Sequence, residues 1–184
     1  MESISNDVNN YNVVQCTLTG ISPLAVRKIF DRELHPVCLK SELSKERKKI
    51  QQLKNIRVLN QTQMDLLYPR GGIEPLSSTF DTSLMLCLLK HVANIDVYDQ
   101  TPQPKDKIQS ADLGRIRYYR NEFAHMNKSE LSTESFNRIW TDLTEAIQRL
   151  GGPEMYSECL KLKQKLRIQI KEFLLRFSTR CKVQ

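Results

Sequence analysis

From Asp81 to Ala93 the chain reads Asp-Thr-Ser-Leu-Met-Leu-Cys-Leu-Leu-Lys-His-Val-Ala, apolar on nearly every side of a helix. A helix with no polar face has to be wrapped by other elements, so this segment predicts the central buried helix of a multi-helix fold. A second strong pattern lies downstream. Ser132 predicts the cap of a helix whose apolar positions Phe136, Ile139, Trp140, Leu143, Ala146, Ile147 and Leu150 follow a 3.6-residue period, and Gly151-Gly152-Pro153 ends it.

The remaining punctuation is also helical. A first helix is expected over Asp7 to Leu18, stopped by Gly20, and Ser22-Pro23 opens a second with Leu24, Val26, Ile29, Phe30 and Leu34 as anchors until Pro36. The charged stretch from Ser41 to Ile56 carries Leu43, Ile50 and Leu53 on one face, and Asn60-Gln61-Thr62-Gln63 has the spacing of a capping box with Asn in place of Ser or Thr. A loop from Asp96 to Gln109 precedes a helix capped by Ser110 and running through Leu113, Ile116, Tyr119 and Phe123. The last helix, Glu154 to about Phe177, offers Met155, Leu160, Leu162, Leu166, Ile170, Phe173 and Leu174 as anchors. Nothing demands a strand. The expected fold is an all-α helical bundle of about six or seven helices with no sheet, organised as a flexible segment 1–10, a helical domain 11–152 and a basic carboxyl-terminal helix 153–184 that connects to further domains.

Charge is distributed unevenly. Residues Lys161 to Gln184 hold eight basic side chains and one acid, so the tail alone carries the net charge of +7 and the preceding 160 residues balance at twenty of each sign. A basic amphipathic connector with a solvated face is the plainer reading of that tail, and a nucleic-acid backbone is its sharper one. The longest apolar run is too short and interrupted to span a bilayer, so no membrane partner is expected. The polar start, Met1 to Asn12, lacks a secretory pattern, which points to a cytoplasmic protein. Cys16, Cys38, Cys87, Cys159 and Cys181 are scattered without a C-x-x-C pair and read as reduced, mostly buried thiols. No metal or other cofactor is implied.

Arg120-Asn121-Glu122-Phe123-Ala124-His125 carries the chemistry. RNA supplies its own nucleophile, the 2′-hydroxyl, so a metal-free nuclease needs only to move a proton and offset charge growing on the phosphate. Histidine suits the first task with an ordinary pKa of about 6.5, and arginine the second with a permanent fork of donors. On a straight helix Arg120 and His125 stand about 140° apart whereas Asn121 and His125 share a face, so convergence requires the helix to end before His125 or a second copy to complete the site. A histidine at a helix end can also do no more than bond the last carbonyls. Arg115, Arg117, Lys128, Lys161 and Lys165 are candidate RNA-binding cations, with a solvated face as the alternative. Tyr118 and Tyr119 could stack on bases, although Tyr119 falls on the apolar stripe. His91 reads as a core or interface histidine and His35 as a helix-end residue.

Several blocks recur in order: Leu66-Leu67-Tyr68-Pro69; Ser78-Thr79-Phe80-Asp81-Thr82-Ser83-Leu84 with Leu88-Leu89; Ala111-Asp112-Leu113-Gly114-Arg115-Ile116-Arg117-Tyr118-Tyr119-Arg120-Asn121; and Phe136-Asn137, Trp140 and Arg149-Leu150-Gly151-Gly152. From about Leu18 to Gly152 the chain resembles the HEPN domain of the type named for the DAZ-interacting zinc-finger ubiquitin ligase. The resemblance implies an all-helical fold, homodimers in which two motifs line one cleft, and Arg120, Asn121 and His125 as the R-N-x-x-x-H positions that in active members cut RNA without metal. This chain has four residues between Arg120 and His125, where the branch often carries an extra one. Many HEPN domains bind RNA or pair without cutting, and this type often fronts ubiquitin ligases, nucleotide-binding immune receptors or death-fold proteins.

Overall fold

The computed structural model describes residues 2–180, with side chains over 6–169 and at 172. Its α-helices are α1 (Glu2–Cys16), α2 (Ser22–Glu33), α3 (Leu39–Lys45), α4 (Arg47–Asn55), α5 (Gln61–Leu67), α6 (Thr82–His91), α7 (Gln109–Ala124), α8 (Thr133–Gly151) and α9 (Pro153–Arg180). No strand occurs among the described residues, so the all-α expectation holds. A π-helical turn, Thr17–Ile21, joins α1 to α2, and α3 meets α4 at Glu46 alone. Among the described residues the chain therefore runs as nine α-helical segments.

Gly20, read from the sequence as a helix stop, lies inside that π turn, and the chain continues as a helix. The reason is Pro23, which has no N–H to give to the carbonyl four residues back and whose ring crowds it. The Ser22 N–H reaches Thr17 instead, and the wider turn leaves room for the ring. Ser22 caps nothing; its hydroxyl donates to the Leu18 carbonyl at 2.8 Å. Leu24, expected as an anchor, is exposed, while Val26, Ile29, Phe30 and Leu34 are buried.

Two of the expected start signals operate as read. Asn60 Oδ1 accepts from the Gln63 N–H at 2.9 Å and Gln63 Oε1 from the Asn60 N–H at 3.1 Å, a complete capping box for α5. Ser132 caps α8 as expected, accepting from Ser135 at 3.3 Å, and Asp81, not singled out as a cap from the sequence, caps α6 by accepting from Leu84 at 2.7 Å. Ser110 does not cap α7, whose first residue is Gln109 and whose N-cap position is Ile108, two residues before Ser110. Leu43, Ile50 and Leu53 are buried, but Glu46 divides their stretch into α3 and α4.

The middle of the bundle belongs to α8 rather than to α6. All seven apolar positions read for α8 are buried, and the helix packs on α1, α2, α7 and α9. At 10 residues α6 is too short to fill that place; it packs on α2 and α7, and its Ser83, Cys87, Lys90 and His91 turn toward a cleft. The base of α9 is part of the core: Cys159 is fully buried, and the Lys163 ammonium lies 4.9 Å and 4.8 Å over the Phe136 and Trp140 rings. Leu160 is exposed, and Ile170, Phe173 and Leu174 fall outside the described side chains. Among the described thiols only Cys159 is buried; Cys16 and Cys87 are half-buried and Cys38 is exposed, so the expectation of mostly buried cysteines is corrected. Cys181 lies outside the described residues. No helix among the described residues is long and apolar enough to cross a membrane.

Candidate functional site

Helix α7 carries two kinds of arginine. Its inward side holds Asp112, Arg115 and Tyr119, all buried. The Arg115 guanidinium donates to Asp142 Oδ1 at 2.6 Å, to Asp112 Oδ1 at 3.1 Å, and to the carbonyls of Asp106 and Gln103 at 2.6 Å each. Arg149 clamps Asp112 through two bonds of 2.8 Å, and the Tyr119 hydroxyl donates to Asp142 Oδ2 at 2.8 Å. With 1% of its side chain exposed and four of its five N–H donors taken, Arg115 has no free face to offer a phosphate. Its candidacy as an RNA contact is therefore corrected: it ties the loop between α6 and α7 to the bundle. Tyr119 likewise belongs to the core; burial and the Asp142 carboxylate raise its pKa.

The same loop is held at its other end by a close approach. A Cβ on Gly114 would stand 2.7 Å from the Tyr98 Cβ and 3.2 Å from its carbonyl oxygen, so only glycine lets that backbone lie against α7. Asp99 follows directly. Together these contacts bring the loop to the outward side of α7, where Arg117, Arg120 and Asn121 stand.

Two adjoining clefts open there. One, of about 370 Å³, is lined by Lys90 and His91 from α6, Asp99 from the loop, and Arg117, Arg120 and Asn121. The other, of about 490 Å³, has His125, Met126, Tyr98 and Tyr118 in its wall and shares Asp99, Arg117 and Asn121 with the first. Helix α7 ends at Ala124, and His125 takes φ −110° and ψ 3° with its N–H bonded to the Glu122 carbonyl at 3.2 Å. The helix thus ends before the histidine, one of the two ways in which the triad could converge. Convergence is incomplete within one chain: Asn121 faces both clefts, whereas Arg120 lines one and His125 the other. Arg120 Nη1 donates to Asn121 Oδ1 at 3.1 Å, and both side chains are exposed, as is His125.

The segment leaving His125 is fastened from the start of the chain. Asn10 Nδ2 donates to the Leu131 carbonyl at 3.2 Å, the Leu131 N–H donates to the Asp7 carbonyl at 2.9 Å, and Tyr11 stacks on Phe123 at 5.3 Å between ring centroids.

Charge is concentrated around Asp99. Lys90 Nζ and Arg117 Nη1 each bond one of its carboxylate oxygens, and those two bonds hold its pKa down at about 2. Burial, and then the Lys90 and Lys49 ammoniums, lower the His91 pKa. Burial also pushes the Cys87 thiol up to about 11, away from thiolate chemistry at neutral pH. No spacing along the chain joins Lys90, His91 and Asp99 to the motif; they meet it only when α6 and the loop pack on α7. Of the other candidate cations, Lys128 is exposed, Lys165 is exposed on α9, and Lys161 pairs with Glu158 at 2.7 Å. None of the three lines either cleft. His35 is exposed at the end of α2, with its Nδ1 accepting from the Val37 N–H at 3.3 Å.

An all-helical bundle with a polar arginine, asparagine and histidine array at the end of one helix defines a HEPN-type domain. The chain belongs to the DZIP3/hRUL138-like HEPN family, whose profile matches residues 36–172. It is 32% identical over 134 residues to the E3 ubiquitin-protein ligase DZIP3 of Mus musculus and 31% identical over 134 residues to that of Homo sapiens. Each match covers 68% of this chain and 11% of the relative, so the chain spans about a tenth of the length of these ligases. No solved structure matches it.

Proposed function

We propose that this HEPN domain binds single-stranded RNA as a cytoplasmic homodimer and cleaves it without metal. Arg120, Asn121 and His125 lie on two clefts that share the Asn121 wall, and this observation carries the reading. His125 moves the proton as general base or acid, Arg120 clamps the phosphate as charge builds on it, and Asn121, in reach of both, orients the histidine or the phosphate. A second copy supplies the Arg120 or His125 that one cleft lacks. Tyr98 and Tyr118, on the His125 side, are placed to stack on bases, and Arg117 with Lys128, Lys161 and Lys165 follows the backbone.

Labelled single-stranded RNA incubated in EDTA with the wild type and with His125→Ala tests the claim. Cleavage by the first alone is expected, ending in a 2′,3′-cyclic phosphate; equal cleavage by both, or none by either, sinks it. A non-catalytic assembly module, with 153–184 as connector to ubiquitin-ligase or immune-signalling parts, is favoured by one observation: Arg120 and His125 do not share a cleft within a single chain. That reading expects partner binding or dimerisation to survive His125→Ala and RNA affinity to be absent.

A further inference from the structure

The Asp99 carboxylate sits where two cations from different helices converge. Lys90 comes from the last turn of α6 and Arg117 from the middle of α7, and each takes one oxygen of the same carboxylate. Arg117 and Arg120 are three residues apart and so neighbours on one helix face, about 5–6 Å between Cβ atoms. Lys90, Arg117 and Arg120 line the same cleft, in which Asp99 is the one acidic wall residue. Asp99 is also more exposed than either cation it binds, with 61% of its side chain in solvent against 30% for Lys90 and 40% for Arg117, and it is carried by a loop rather than by a helix. A singly charged carboxylate held through both oxygens by two cations has the charge and shape of the anionic edge of a phosphodiester.

We propose that Lys90 and Arg117 form a second phosphate subsite of this domain, one step along a single-stranded RNA from the phosphate at Arg120, and that Asp99 fills it as an internal anion when RNA is absent. The proposal rests on the reading of this face as an RNA site but requires no cleavage. RNA entry swaps one anion for another: a backbone phosphate takes the two cations, and the Asp99 carboxylate turns out into water at little cost because it is already exposed. Asp99 then acts as a competitor whose removal strengthens binding, the opposite of what a structural ion pair predicts.

The test uses a fluorescent single-stranded 2′-O-methyl oligonucleotide, whose capped 2′ oxygen cannot attack the phosphate, so that anisotropy reads binding alone. Asp99→Asn is expected to tighten binding about fivefold, the scale of one exposed ion pair. Lys90→Gln and Arg117→Ala are each expected to weaken binding and to lower the slope of log affinity against log salt by about one, as for a lost phosphate contact. Thermal melts of each variant verify the fold, and Lys90→Gln keeps the Arg117 to Asp99 pair if Arg117→Ala does not fold. Unchanged or weaker binding by a folded Asp99→Asn overturns the proposal, as does an unchanged salt slope in Lys90→Gln, or no binding by any of the proteins. A wild type that binds the methylated strand and responds to these variants, yet cuts no ordinary RNA, leaves the subsite standing while His125 loses its catalytic role.

Discussion

Arg115 and Arg120 lie five residues apart on one helix and live in opposite surroundings. Arg115 is enclosed by two carboxylates and two loop carbonyls, whereas Arg120 is exposed and, among the described residues, its side chain hydrogen-bonds only the amide beside it in the chain. The contrast separates an arginine consumed by architecture from one left open for a ligand. Burial alone does not make the distinction; four of the five donors of Arg115 already have acceptors, so its guanidinium could meet phosphate only by abandoning Asp112, Asp142 or the loop carbonyls.

Truncation should divide the two residues sharply. Arg115→Ala removes four hydrogen bonds at once, taking one partner from the buried Asp112, one from the half-buried Asp142 and one from each of two loop carbonyls, and is expected to cost about 3–5 kcal/mol in urea denaturation, against less than about 0.5 kcal/mol for Arg120→Ala. Similar shifts for both would abolish the contrast. Next in size is Gly114→Ala. The new methyl meets the Cβ and backbone of Tyr98, neither of which can swing aside, so the loop has to move, at about 1–3 kcal/mol. Faster amide hydrogen exchange over 96–108 is the expected signature; unchanged protection there would show that the loop is held by Arg115 alone.

The smallest effect is one of pH. His91 has its pKa lowered in the folded chain, so the unfolded chain, near the ordinary 6.5 or so, binds the extra proton first as pH falls. Stability therefore rises with pH through the window below about 6.5 and is fully present above it. His91→Gln should flatten that slope in melts run between about pH 5 and 7. A slope that survives the substitution assigns it to another group.

What could be read from the sequence divides along the same line between local and distant causes. The Asn60 box, the Ser132 cap and the α8 stripe depend on residues within a few positions of one another, and each stands where its spacing placed it. Gly20 misled because glycine marks many helix ends, while the deciding residue, Pro23, acts backward through the carbonyls it crowds. Arg115 misled because Asp142 reaches it from 27 positions away and Gln103 and Asp106 from a loop without periodicity. The motif itself was legible as chemistry. Its division between two clefts, and the company of Lys90, His91 and Asp99, arise from how α6 and the loop pack on α7, which no spacing rule contains.

The π turn between α1 and α2 reaches further than its five residues. Each residue of an α-helix adds about 100° of rotation, and the wider turn absorbs one residue more, so the two helices run out of phase along what is otherwise one rod. Ala25, Val26 and Phe30 thereby address the bundle from α2, while Asp7 and Asn10 on α1 meet the strand of chain that leaves His125. The segment that leaves the histidine is in this way fastened by a helix whose phase against α2 changes about a hundred residues earlier in the chain.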